Sequence, residues 1–133
     1  MARDIPLELN SDINRPVLDH LHGKSAHSDV SDALRAALQT LGDVQEFCPY
    51  PMQYRYVIAA TAQVIFAFAV GMSSVGFRLD ERMKNRALAT GAVPQMECGP
   101  EWVVFQLFRD DWPQVDLEFW ARKAYCAARE SRR

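Results

Sequence analysis

This sequence has few cysteines and histidines, and those present are poorly spaced for a catalytic or metal site. Only three cysteines occur among 133 residues, and no two form a CxxC pair. Their odd number and wide spacing argue against a disulfide framework and against a structural zinc site. No histidine follows His27, and no GxGxxG, Walker A or nucleophile-elbow pattern is present. We therefore expect no cofactor, no metal and three free thiols in a reducing cytoplasm: Cys48, Cys98 and Cys126.

An excess of charge of one sign is also missing. The chain has 15 basic and 17 acidic side chains, so its net charge is −2. This balance gives no electrostatic case for a nucleic-acid partner. The first residues, from Met1 to Pro6, lack the apolar run of a signal peptide.

One uncharged run, from Tyr56 to Phe77, is long enough to span a bilayer. It contains Gln63 and a turn-like Gly71-Met72-Ser73-Ser74, and it is rich in the Val, Ile and Phe that favour strands. We predict paired strands here and no membrane segment.

The length suits a single domain. Residues 1–27 are polar and irregular and predict an N-terminal arm, while residues 28–133 predict one α+β domain. The order is a helix, a three-stranded antiparallel meander, a helix, two strands and a helix. Apolar periodicity places the helices at 28–44, 81–90 and 112–130, and the strands at 53–60, 64–70, 74–79, 93–97 and 101–109. The predicted N-caps are Ser28, Asp80, and either Asp111 or Asp116.

The three histidines all lie in the arm, at His20, His22 and His27. A His-x-His pair can ligate a metal, but a specific site needs further ligands of defined spacing. Because none is evident, we interpret these histidines as solvated.

The middle strands are apolar on both faces. Strict alternation along 64–70 puts Val64, Phe66 and Phe68 on one face, opposite Ile65, Ala67 and Ala69. Three helices of this length cover one face of the sheet more readily than both faces. An apolar face left uncovered is typical of an interface. We therefore predict a homodimer that pairs through the sheet or its edge. In the alternative, the arm folds over that face within one chain.

Four stretches carry a family resemblance, at residues 33–44 (ALRAALQTLGDV), 64–70 (VIFAFAV), 76–81 (GFRLDE) and 119–124 (FWARKA). In their order and spacing they resemble the TfoX N-terminal domain family and, more distantly, the MmcQ/YjbR-type proteins. The resemblance covers about residues 30–130 and implies a helix–sheet fold similar to secretion-chaperone and YjbR-like proteins. It implies no catalytic mechanism, although some relatives lie in competence regulators. The family's Met-Phe-Gly-Gly turn is replaced here by Phe47-Cys48-Pro49-Tyr50-Pro51-Met52.

No catalytic constellation is evident. A nucleophilic Cys48 or Cys98 would need a base from the arm, and the acidic pairs Asp80-Glu81 and Asp110-Asp111 lie at predicted helix starts, where carboxylates are favoured anyway. We therefore favour a non-enzymatic binding or regulatory module that acts through protein contact. The alternative is a small enzyme or ligand-binding protein with a pocket between sheet and arm, lined by Tyr54, Tyr56, Arg78 and Trp102.

Overall fold

A computed structural model describes residues 4–49, 56–107 and 115–131 of the chain. The helices are a 3₁₀ turn at Leu7–Leu9, then α1 (Arg15–Leu21), α2 (Ser28–Leu38), α3 (Glu81–Ala89) and α4 (Leu117–Ser131). The strands are β1 (Gln45–Phe47), β2 (Val57–Thr61), β3 (Val64–Val70), β4 (Ser74–Arg78), β5 (Val93–Pro94) and β6 (Trp102–Gln106).

The six strands form one antiparallel sheet in the order β1-β2-β3-β4-β6-β5. The predicted α+β class with an antiparallel sheet is therefore confirmed. The element order differs from the predicted one, because the 3₁₀ turn, α1 and β1 are additional. β1 is only three residues long, too short for a hydrophobic period to be visible in the sequence.

The helix boundaries follow local capping. Asp80 caps α3 as predicted, since its Oδ1 accepts from the N–H of Met83 at 2.8 Å. Asp116 Oδ1 accepts from the Phe119 N–H at 3.1 Å at the start of α4, while Asp110 and Asp111 lie outside the described residues. The predicted Ser28 cap is wrong: Nδ1 of His27 accepts from the Asp29 N–H, so His27 is the N-cap of α2.

The two faces of the sheet carry separate hydrophobic cores. On one face α2, α3 and α4 cover a core that includes Phe66, Phe77, Phe105 and Trp120. On the other face lie residues 4–21, which we call the N-terminal strap; its buried side chains are Leu9, Asn14, Val17 and Leu21. The three apolar members pack with Ile58, Phe68 and Trp102.

The strap therefore occupies the face that the sequence analysis left uncovered. The alternative in which the arm folds over the sheet within one chain is the arrangement found. The uncovered face that motivated the homodimer prediction is not present, so that prediction loses its original physical basis. The polar surface of the strap concealed this role, because only a few of its side chains point inward.

A β-bulge at Phe66 changes the predicted facing of β3. Ala59 pairs with Ala67 but Ala60 pairs with Ile65, so Phe66 is the extra residue. Phe66 and Ala67 both lie in the helix-covered core, whereas Phe68 lies under the strap. Grouping Phe68 with Phe66 was therefore wrong, because strict alternation does not hold across a bulge.

The uncharged run from Tyr56 to Phe77 supplies β2, β3 and most of β4. Across residues 4–49, 56–107 and 115–131, no helix has both the length and the apolar content needed to cross a membrane.

Candidate functional site

Three of the four predicted pocket residues are buried. Tyr56, Arg78 and Trp102 are 5%, 4% and 0% exposed, and Tyr56 and Trp102 pack in the core between sheet and strap. Arg78 and Trp102 are register partners across β4 and β6, and the Arg78 Cζ lies 5.1 Å from the Trp102 ring centroid. Tyr54 lies outside the described residues. Of the predicted set, Arg78 lies at the margin of this core and lines a cleft.

The guanidinium of Arg78 is fixed by backbone carbonyls. Its Nε donates to the carbonyl oxygen of Ile65 at 2.9 Å, and its Nη2 donates to that of Ile13 at 3.0 Å. Burial lowers the pKa of Arg78, and the nearby carboxylate of Glu101 opposes that shift. A buried charge is retained only with such partners, so Arg78 joins the strap to the sheet.

A neighbouring buried amide makes a second connection between strap and sheet. Asn14 is fully buried; its Nδ2 donates to the carbonyl oxygens of Leu9 at 3.0 Å and Gln63 at 2.9 Å. Its Oδ1 accepts from the N–H of Ile65 at 2.9 Å. The N–H and C=O of Ile65, beside the bulge, are thus satisfied by the Asn14 and Arg78 side chains.

A cleft of about 300 Å³ opens beside this junction, and we call it the Arg78 cleft. It is lined by Ile13, Arg78, Leu79, Asp80, Glu101, Ala127 and Glu130. The strap, the end of β4, the start of β6 and α4 each contribute to its wall. Within the described ranges Nη1 of Arg78 makes no hydrogen bond, and the nearest carboxylate oxygen, Glu101 Oε1, lies 3.7 Å away.

A second cleft is lined by His20 of α1 together with Asp12, Arg15, Pro16, Asp19 and Glu97. Nδ1 of His20 lies 3.8 Å from Oε2 of Glu97, and the imidazole ring centroid lies 6.5 Å from that of Phe68. Burial lowers the pKa of His20, Lys24 lowers it further, and Glu97 opposes the shift.

The thiol of Cys98, the residue after Glu97, does not form a nucleophilic pair with His20. Cys98 is 2% exposed, and burial raises its pKa to about 12. A nucleophilic cysteine needs its thiolate form, which such a pKa suppresses near neutral pH. No group of three or more potential metal-ligating side chains occurs in the part of the chain that the structure describes.

The low pKa of His20 predicts that stability falls as the solution is acidified. The unfolded chain takes up the proton near the ordinary pKa of about 6.5, whereas the folded chain resists protonation to lower pH. The unfolded state therefore binds more protons in this window, and the free energy of unfolding decreases below about pH 6.5. Urea denaturation between about pH 7 and pH 5 measures the slope.

A histidine variant isolates the contribution of His20 from that of the carboxylates. His20→Gln should flatten the pH dependence more than His22→Gln, the control variant at an exposed position of the same segment. An unaltered slope in His20→Gln would contradict the assignment.

Sequence reasoning did not find Asn14, Glu101 or Glu130. Asn14 bonds to residues about fifty positions away, and the two glutamates come from separate elements, so no local spacing connects them. A buried asparagine in a polar segment leaves no periodic signal in the sequence.

Comparison with known proteins gave no match to this chain among family models, curated proteins or solved structures.

Proposed function

We propose that this protein is a non-enzymatic binding module that acts through protein contact at the β5 edge of its sheet, and that its first partner is a second copy of the chain. One observation carries the proposal. β5 is one of the two edge strands of the sheet, and two large apolar side chains at this edge, Val93 and Met96, are 46% and 60% exposed. A strand edge with exposed apolar side chains is a common site of association, and two-fold pairing places the same edge on both sides.

The chemistry of this edge favours side-chain contact over the addition of a new strand. The N–H of Gln95 donates inward to the carbonyl oxygen of Trp102 at 2.9 Å. Because neighbouring strand residues alternate, Pro94 faces outward, where it has no N–H to offer. A partner would therefore bury Val93 and Met96 and would gain little from ladder hydrogen bonds.

The family resemblance supports a regulatory role for such a contact. The four stretches that carry it fall on α2 and the turn after it, on β3, on the β4–α3 junction and on α4. The resemblance implies a helix–sheet fold similar to secretion-chaperone and YjbR-like proteins. Regulation by protein contact is the role that the resemblance to the TfoX N-terminal domain family suggests.

Light scattering of the full chain over a concentration series tests the proposal. We expect the wild type to dimerise, and Val93→Asp with Met96→Asp to raise the dimer Kd at least tenfold. Met72→Asp is the matched control, because Met72 is 72% exposed on the β3–β4 turn. Removing residues 1–27 would expose the core beneath the strap, so the truncated chain is unsuitable.

Two results would contradict the proposal. One is a wild type that stays monomeric at the highest concentration, and the other is an equal effect of Met72→Asp.

The alternative function, a small enzyme or ligand-binding protein with a pocket between sheet and arm, has one supporting observation. The Arg78 cleft lies where the strap, through Ile13, meets the sheet, and its volume is at the lower end of the roughly 300–1,000 Å³ typical of ligand sites.

A further inference from the structure

The floor of the Arg78 cleft presents a rigid hydrogen-bond donor. Two backbone carbonyls and the Trp102 ring hold the guanidinium in one orientation, and Arg78 is only 4% exposed. Nη1 has no hydrogen bond to the described residues, and the Glu101 carboxylate stands beyond hydrogen-bond distance from it at 3.7 Å. A guanidinium fixed in this way is suited to a carboxylate ligand, because little side-chain entropy remains to be lost on binding.

The rim of the cleft carries the opposite charge. Asp80, Glu101 and Glu130 are exposed carboxylates on three different elements. Asp80 already caps α3 through Oδ1. Glu130 makes no ion pair with the described residues, and the carboxylate of Glu101 pairs with Arg78. The cleft therefore offers one positive donor at its floor and negative acceptors above it.

This charge arrangement discriminates between ligand classes. A simple anion that reaches Arg78 would meet three carboxylates, and a simple cation held by the rim would lie over the guanidinium. A ligand with a carboxylate and an ammonium on neighbouring atoms places an opposite charge against each group. Ile13 and Ala127 line the same cleft and offer apolar contact to a short alkyl chain.

We propose that the Arg78 cleft binds a free α-amino acid with an apolar side chain. Its carboxylate accepts from Nη1 of Arg78, and its ammonium donates to Glu101 and Glu130. This proposal deepens the ligand-binding alternative and is independent of association at the β5 edge. Its test measures ligand binding, so failure of either proposal leaves the other standing.

Calorimetric titration of the full chain with three compounds of matched alkyl chain tests the proposal. The compounds are L-leucine, 3-methylbutylamine, which lacks the carboxylate, and 4-methylpentanoate, which lacks the ammonium. We expect L-leucine to bind at least tenfold more tightly than either of the others. Absence of L-leucine binding would overturn the proposal. Equal binding of the amine, which indicates an acidic surface only, or of the acid would also overturn it.

Carboxamide variants on the rim locate the site. Glu101→Gln and Glu130→Gln remove a negative charge at exposed positions, so folding should be retained, and each should weaken L-leucine binding at least tenfold. Glu118→Gln is the control, because Glu118 lies on α4 and pairs with Arg122 outside the cleft. Wild-type affinity in both rim variants, or an equal loss in Glu118→Gln, would overturn the assignment.

Discussion

Asn14→Ala should lower the free energy of unfolding by about 3 kcal/mol. The substitution removes the partner of the buried Ile65 N–H, together with one hydrogen bond to each of the carbonyl oxygens of Leu9 and Gln63. Buried polar groups without a partner lose their hydration and gain nothing in return. Urea denaturation followed by circular dichroism measures the loss.

A second asparagine provides the control for this experiment. Asn10 lies four residues earlier on the same strap and is exposed, so Asn10→Ala should change stability by less than about 0.5 kcal/mol. Asn14→Asp refines the test, because an ionised carboxylate accepts from Ile65 but repels the two carbonyl oxygens. It should be at least as destabilising as alanine at neutral pH. A loss below about 1 kcal/mol in Asn14→Ala would show that the strap is not coupled to the sheet through this amide.

Gly76→Ala should lower the free energy of unfolding by about 2 kcal/mol, because the new methyl group has no room. Gly76 lies opposite Phe68 across β3 and β4, and a Cβ there would stand 2.3 Å from the Phe68 Cζ. The Phe68 ring cannot move aside freely, since its centroid packs 5.2 Å from that of Trp102 beneath the strap. Thermal and urea unfolding both report the change.

Two further variants establish the cause of this loss. Gly42→Ala is the matched control, because nothing lies within 4 Å of a Cβ at Gly42. Phe68→Leu should be destabilising alone but less so in the Gly76→Ala background, which gives a favourable coupling in the double-mutant cycle. Strictly additive losses, or an unchanged stability in Gly76→Ala, would contradict a clash with the ring.

The sequence predicted most reliably those elements whose causes are local. α3 begins after Asp80 as expected, because the capping side chain and the helix are adjacent in the chain. The range of β3 was also predicted correctly, since a run of seven consecutive residues that are all apolar and buried is typical of a central strand. β5 is shorter than predicted, because the chain turns at residues 95–98, where the N–H of Cys98 donates to the carbonyl oxygen of Gln95.

The features that were missed depend on contacts distant in sequence. The bulge at Phe66 appears only in the pairing of β2 with β3, and the strap is held by side chains that meet partners far along the chain. The site shows the same division. Arg78 was named among the possible pocket residues, whereas Glu101 and Glu130 line the same cleft only through the tertiary fold.

The strap also sets an order of events during translation. Leu9, Val17 and Leu21 are synthesised before Trp102, which belongs to the surface they pack on and follows Leu21 by 81 positions in the chain. Contacts of such high sequence separation form late and slowly. Until Trp102 has been made, the nascent chain carries this apolar segment without its final partner, a state that chaperones protect in growing chains. The strap thus reaches its native position only after a much later part of the chain has been synthesised.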